Sequence, residues 1–470
     1  MNRREFFAVT GLGLAWPMAA VGRAERPRSG HIDKPNIIFI LADDLGYGDV
    51  SCYGQKRFAT PHIDRLAAEG LRWTQHYAGA TVCAPSRCSL MTGLHGGHAY
   101  IRGNREVQPE GQAPLEAEAV TVAEGLRRAG YVTGGFGKWG LGPVGSEGDP
   151  NRQGFDEWFG YNCQRQAHSY YPDHLWYNDR KVVLDGNRNG GQETYAHDLI
   201  AEKALAFIRR HKDRPFFCYV PFTIPHAAMQ VPEDSLARFR GKWPEPAVTG
   251  GHYARQEAPR AAFAAMVTRM DADVGRILDL LAELGIDENT LVMFTSDNGP
   301  HKEGGHDPDF FDSNGPLRGY KRDLYEGGIR VPFVARWPGR IKPGRVTDHQ
   351  AAFWDFLPTA WELAGIELPE DIDGISYVPT LLGGEQRSHE YLYWEFHEQG
   401  KKQAVRMGDW KAVHLVAADR FELYNLAEDP AETRNVAEQH PQIAARMRRI
   451  MRQAHRPSTL FPMPFDAEGG

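Results

Sequence analysis

Residues 37–42, Ile-Ile-Phe-Ile-Leu-Ala, form a short run with no polar member that stops abruptly at Asp43-Asp44-Leu45-Gly46. No other stretch narrows the possible folds as much. The run is too short to cross a bilayer, and a strand with one wet face would alternate apolar and polar residues. A strand that is apolar at every position has both faces covered, as in a parallel sheet flanked by helices. Further strand-like runs, mostly apolar, lie at 216–222, 291–295 and 331–336.

The segments between these runs carry helix signals. Thr60-Pro61 reads as an N-cap followed by an N1 proline, with Gly70 as the stop. Thr121-Val122-Ala123-Glu124 is a capping box, its helix ending at Gly130 before a strand at 131–136. Thr194 is placed to cap a helix running through Arg210. The longest predicted helix spans about 260–284, with Phe263, Met266, Met270, Val274, Ile277 and Leu281 on one face. This alternation predicts an α/β fold, a mostly parallel central sheet sandwiched by helices. After about residue 385 the pattern changes to short strands at 391–396, 403–407, 411–416 and 421–424, then a helix over 441–454. That spacing predicts a small antiparallel β subdomain at 385–470, following a main domain at 29–384.

Composition removes several function classes. The net charge is −7, so no basic footprint for nucleic acid exists. Mean hydropathy is −0.51, and no long apolar run follows the N-terminus, so no stable membrane span is expected. Residues 1–28 read as a signal peptide. Arg3-Arg4 precedes an Ala/Gly-rich apolar stretch, resembling a twin-arginine signal for export to the periplasm or beyond. The five cysteines, Cys52, Cys83, Cys88, Cys163 and Cys218, show no zinc-ligand spacing.

Ligands of parallel sheets sit at the carboxyl ends of the strands. Two polar pairs fall there, Asp43-Asp44 and Asp297-Asn298. They offer only oxygen donors, which suits a hard cation, Ca²⁺ first and Mg²⁺ second. Either pair alone would read as a turn signal; two pairs on separate strand ends point to a metal.

The segment 81–93, TVCAPSRCSLMTG, contains C-x-P-S-R followed by T-G. It resembles the signature of the type I sulfatases of the alkaline phosphatase superfamily. The likeness extends to Gly137-Lys138-Trp139, Pro225-His226, Ser296-Asp297-Asn298-Gly299, Gly319-Tyr320-Lys321 and Gly327-Gly328-Ile329-Arg330-Val331-Pro332, in the family's order. The resemblance implies an alkaline-phosphatase-like fold and a sulfuric ester hydrolase. It implies that Cys83 is oxidised by a formylglycine-generating enzyme to Cα-formylglycine, whose hydrate attacks sulfur. It further implies that Asp43, Asp44, Asp297, Asn298 and the side chain at 83 hold Ca²⁺. By the same resemblance Arg87 stabilises the modified side chain, Lys138 and Lys321 neutralise sulfate oxygens, and His226 is the acid for the departing alcohol.

One departure stands out. The family commonly reads G-K-W-H-L-G, whereas this chain reads Gly137-Lys138-Trp139-Gly140-Leu141-Gly142 and lacks that histidine. Loop histidines 95, 98, 168, 301 and 306 lie near the motifs in sequence but are not assignable by spacing. Arg102, Asn104, His301 and Arg318 are candidate substrate contacts. The aromatic-rich segment from Trp158 to Tyr177 is read as a rim for sugar rings or as local core, and with export it points to a sulfated carbohydrate substrate. Alternatives are a phosphomonoester, phosphodiester or phosphonate ester hydrolase of the same superfamily, and a sulfated-glycan-binding relative without catalysis.

Overall fold

A computed structural model describes residues 34–247 and 252–468; the expected signal segment lies outside the described residues. The fully apolar run becomes β1 (Asn36–Ala42), the centre of the molecule, with every residue buried. The other strands of the main sheet are β2 (Leu71–Tyr77), β3 (Val132–Lys138), β4 (Glu157–Tyr161), β5 (His174–Tyr177), β6 (Arg180–Val183), β7 (Phe216–Pro221), β8 (Thr290–Ser296), β9 (Arg330–Arg336) and the short β10 (Arg345–Thr347) and β11 (Ala351–Ala352). Their order is β10-β2-β9-β8-β1-β7-β3-β4-β5-β6, with β11 also on β2. The middle, β8-β1-β7-β3-β4, is parallel, while β9 and β5–β6 run antiparallel to their neighbours. The expected mostly parallel sheet is thus present, with antiparallel flanks.

The sheet is covered on both sides, as the apolar run required. Ile38, Ile40 and Ala42 face the core built around the helix Pro259–Glu283 and the helix Ala196–His211. Phe39 points the other way, its ring 4.4 Å from that of Phe356 on the helix Phe356–Ala364. The predicted capping box at Thr121 is present, with both reciprocal hydrogen bonds, on the helix Val122–Arg128.

Two caps differ from the sequence reading. Thr194 does not cap its helix, which begins at Ala196; Asn187 binds its backbone N–H and carbonyl and holds it in the preceding loop. Thr60 precedes the helix Pro61–Ala68, but its hydroxyl accepts from the Ser51 N–H instead of the helix. The free N–H groups of His62 and Ile63 donate to Asp271 of the long helix, so tertiary packing supplies the cap.

The C-terminal strands are β12 (Leu392–Phe396), β13 (Lys402–Met407), β14 (Trp410–Leu415) and β15 (Arg420–Asn425), a sequential antiparallel sheet. The helix Pro441–Gln453 covers one face through Met447, Ile450 and Met451. The other face packs against the main sheet through Trp394, Tyr77, Val82 and Trp354.

Candidate active site

The register of β1 with β8 sets the site. Ala42 lies opposite Ser296, so Asp43-Asp44 and Asp297-Asn298 leave the sheet side by side. The Asp297 N–H donates to the Ala42 carbonyl at 3.0 Å, and the Asp44 N–H donates to Asp297 Oδ1 at 3.1 Å. Two strands away, β3 ends on Lys138, whose ammonium donates to Asp43 at 2.6 Å. All four of the polar residues at the ends of β1 and β8 are wholly enclosed.

Cys83 is the first residue of the helix Cys83–Thr92, with Pro85 in its first turn. The C-x-P-S-R spacing sets Arg87 one turn beyond Cys83, on the same face. Cys83 Sγ lies 3.3 Å from Asp43 Oδ1 and 4.0 Å from Asp44 Oδ1. Arg87 donates to Asp297 Oδ2 through Nη2 at 2.8 Å and Nε at 3.1 Å, and its Nη2 is 3.4 Å from Asp43. Ser86 donates to the Asp297 carbonyl, which ties the helix start to the end of β8.

Lys321 donates to Asp44 Oδ2 at 2.7 Å and to His226 Nε2 at 3.0 Å. His226 Nδ1 faces the Ala227 carbonyl, which only accepts, so Nδ1 carries the ring proton. In a ring neutral at Nδ1–H, Nε2 is the acceptor that faces the Lys321 ammonium, with Asp44 Oδ2 3.3 Å away. Burial, reinforced by the Lys321 charge, holds the His226 pKa well below that of a free imidazole.

The charge pattern divides the carboxylates. Burial alone would raise Asp43, but Lys138 and Arg87 outweigh it and hold it below the ordinary carboxylate range. Asp297 is pushed up to about 7 by burial and then by the Asp43 charge. Burial and Asp43 also push the Cys83 thiol well up, so the unmodified side chain is a protonated thiol. Asn298 donates through Nδ2 to Asp44 Oδ1 at 2.7 Å and to the Gly299 carbonyl at 2.9 Å, leaving its buried Oδ1 with no partner. A carbonyl oxygen enclosed without a donor beside three buried carboxylates is the environment of a hard cation.

A cavity of about 260 Å³ opens over Cys83, with His226, Lys321, Asn104, Gln164 and His168 among its walls. Of the four expected substrate contacts, Asn104 lines it and accepts from the Ala84 N–H in the helix's first turn. The other three do not. Arg102 is buried and donates to the carbonyls of Ala99 and Arg456. Arg318 donates to the Glu432 carbonyl and Tyr424 and lies over the Tyr325 ring, at the seam with the C-terminal sheet. His301 stacks on His226 and is held between the Pro225 carbonyl and the Glu303 N–H, so it supports that ring from behind.

Of the two readings of the aromatic segment, the core one holds for its first rings, while Tyr171, His174, Trp176 and Tyr177 are half-buried. Trp158, Phe159, Tyr161 and Tyr170 are core residues, Trp158 packing against Trp139 and Phe155. Tyr170 instead braces the site by donating to the Thr223 and His226 carbonyls. From that segment's rings only His168 reaches the cavity, stacked 5.1 Å from His226. His95 and His98 bind Asp373, and His306 is packed on Phe263.

Sequence reasoning missed Glu303, Arg322 and Gln164. Glu303 accepts from Arg322 at 2.6 Å and from Tyr253 at 2.8 Å and lies 3.8 Å from Lys321. Nothing in their spacing marks them; only the adjacency of Arg322 to Lys321 could have hinted.

The family model described as Sulfatase matches residues 35–366, and one described as N-sulphoglucosamine sulphohydrolase, C-terminal, matches 319–456. N-acetylgalactosamine-6-O-sulfatase of Bacteroides thetaiotaomicron is 30% identical over 93% of this chain and 96% of its own. Arylsulfatase A of Homo sapiens is 34% identical over 86% of this chain and 83% of its own. The crystal structure of Ps i-CgsB in complex with k-i-k-neocarrahexaose superposes with a TM-score of 0.78 at 28% identity, covering 93% of this chain and 96% of that one. Matches of this length, over a sheet that delivers the motif residues to one buried centre, show that the chain belongs to the sulfatase family and is a sulfuric ester hydrolase.

Proposed function

We propose that this sulfatase releases sulfate from a sulfated carbohydrate, using Cys83 converted to Cα-formylglycine by a formylglycine-generating enzyme, with Ca²⁺ held by Asp43, Asp44, Asp297, Asn298 and the side chain at 83. The observation that carries the reading is the enclosed, partnerless Asn298 Oδ1 among three buried carboxylates beside Cys83. When present, the two groups supply an oxygen nucleophile and positive charge for sulfate oxygens.

The chain's own residues do the rest. Arg87 ties Asp297 to Asp43 and keeps the helix start fixed against both strand ends. Lys321 sets its ammonium in the cavity wall and Lys138 sets a second one on Asp43 behind it, where charge on a sulfate ester would be balanced. Lys321 and His226 share one hydrogen bond, Nζ to Nε2, so the proton for the departing alcohol oxygen is held at Lys321 and aimed by His226. Asn104 and Ser86 hold the helix start in place.

The carbohydrate assignment is supported by the walls of the cavity, which carry amide, imidazole and charged side chains suited to hydroxyl groups, and by the names of the relatives. Its volume of about 260 Å³ lies below the roughly 300–1,000 Å³ of drug-sized sites, which fits one sugar unit. Among the described residues no helix is long and apolar enough to cross a membrane. Together with the Arg3-Arg4 segment this supports export to the periplasm or secretion.

Mass spectrometry of the peptide carrying position 83, paired with sulfate release from a panel of sulfated saccharides and aryl sulfates, tests the reading. An aldehyde mass and release from at least one saccharide are expected. An active enzyme with an unmodified thiol, or faster turnover of aryl phosphate than of aryl sulfate, would overturn it.

A further inference from the structure

The loop after β3 and the loop after β4 lie side by side because the two strands are parallel, with Gly137 opposite Gly160 and the Trp139 N–H donating to the Tyr161 carbonyl. This brings Gly140 against Gln164. Gly140 has φ of +81°, and a Cβ there would come 2.4 Å from Gln164 Nε2. The Gln164 carboxamide therefore fills the space that any side chain at position 140 would need. It also lines the cavity over Cys83. Gln164 is only 7% exposed, and its Nε2 has no hydrogen-bond partner. An enclosed amide N–H without an acceptor is unfavourable. The two ends of a carboxamide have the same shape, so a half-turn of its last bond exchanges the NH₂ and carbonyl ends at no cost in space. An anionic oxygen in the cavity is the acceptor it lacks. Cys83 and Gln164 line the same cavity of about 260 Å³, so an ester seated over Cys83 shares it with this amide.

We propose that Gln164 is a substrate-binding residue whose amide donates a hydrogen bond to an oxygen of the sulfuryl group, and that Gly140 is glycine to leave room for it. This rests on the sulfatase reading above. A neutral amide differs from a histidine here in one respect: it donates at every working pH and takes no part in proton transfer.

Steady-state kinetics on enzyme with measured formylglycine content tests this. Gln164→Ala should lower kcat/KM about tenfold to a hundredfold, as loss of a hydrogen bond to a charged group does, and raise Ki for inorganic sulfate by a similar factor. Gln164→Glu keeps the size but adds a like charge. It should lose more activity at neutral pH and regain it on the acid side as the carboxyl protonates, a limb the wild type lacks. Gly140→Ala should weaken sulfate binding in the same way, and the double variant should be no worse than Gln164→Ala, since both act through one carboxamide. A Gln164→Ala enzyme within twofold of wild type, or one with raised KM but unchanged Ki for sulfate, overturns the proposal. So does a lowered Tm with unchanged Ki, which would make Gln164 packing only. A wild type that releases no sulfate refutes the functional reading instead.

Discussion

The molecule buries charge in two places, and they differ in kind. At the ends of β1 and β8, Asp43, Asp44 and Asp297 meet Arg87, Lys138 and Lys321. At the seam between the sheets, Lys411 lies 3.0 Å from Glu326 and 2.9 Å from Glu432, with Arg406 and Arg330 nearby. Both clusters combine carboxylates and cations in the interior, where removing one partner leaves an uncompensated charge. The first opens into a cavity and contains a partnerless oxygen. The second is sealed under the C-terminal sheet; its charges pair with each other and the Glu432 carboxylate accepts from the Glu326 N–H, although Glu432 Oε1 and Arg406 Nη1 make no hydrogen bond. Buried charge is thus no mark of function by itself. Access from a cavity distinguishes the reactive centre from the clamp.

The comparison can be broken by substitution. The largest effect expected is at position 83: Cys83→Ala should abolish sulfate release to background while the thermal transition stays close to wild type. Lys321→Met should lower kcat by about 10²–10³-fold, the scale of losing one charge-stabilising donor, with the chain still folded. Lys411→Met should do the reverse. It strands the buried Glu326 carboxylate and removes the cation beside Glu432, and should cost about 3–5 kcal/mol of stability, read by denaturant unfolding, while the folded fraction keeps its kcat. If Lys411→Met instead lowered kcat with unchanged stability, the division between centre and clamp would fail.

A chelator sharpens the contrast. For the proposed Ca²⁺ site, chelation should lower the Tm and readdition should restore it, a stabilisation of about 2.7 kcal/mol when free ion is 100-fold above its dissociation constant. Asn298→Ala should shift that calcium titration to higher concentration; a Tm indifferent to chelator would remove the metal from the account.

The smallest effect concerns pH at the seam. Burial, only partly offset by Lys411 and reinforced by Glu326, pushes Glu432 up to about 7. The folded state then holds a proton that the unfolded chain releases near 4.5, so this group's contribution to stability is present below about 4.5 and is lost as pH rises through 7. Glu432→Gln fixes the proton-bearing shape, so its stability relative to wild type should be better at pH 8 than at pH 5. Parallel urea titrations at the two pH values measure this, and an opposite trend would show that Lys411 dominates.

Much of this was legible in the residues. Six apolar positions before Asp43 demanded a strand covered on both faces, and β1 is that strand. The capping box at Thr121 formed because its partners are three residues apart and act locally. Thr60 and Thr194 carry the same chemistry, yet competing partners at Ser51 and Asn187, remote from the helix grooves, decided them. Arg102 and Arg318 looked like substrate contacts because they neighbour the motifs; the chain turns them toward Arg456 and Glu432, more than a hundred residues away. In the aromatic segment the core alternative held for Trp158, Phe159, Tyr161 and Tyr170 for a related reason. Composition tells that rings will be buried or stacked, but not on which side of a sheet they fall.

Local order and covalent spacing determined what could be read from the sequence alone: the strand ends that carry oxygen pairs, the i to i+4 placement of Arg87 on the face of Cys83, and the family. Only tertiary structure decided which carboxylate meets which cation, that Asn298 Oδ1 is left without a donor, that His226 keeps its proton on Nδ1, and that Gln164 fills the space beside Gly140. Those outcomes come from strand register and from backbone contacts between segments far apart in the chain. A carbonyl or an amide acquires its role from what is packed within 3–4 Å, and no spacing rule along one segment encodes that distance.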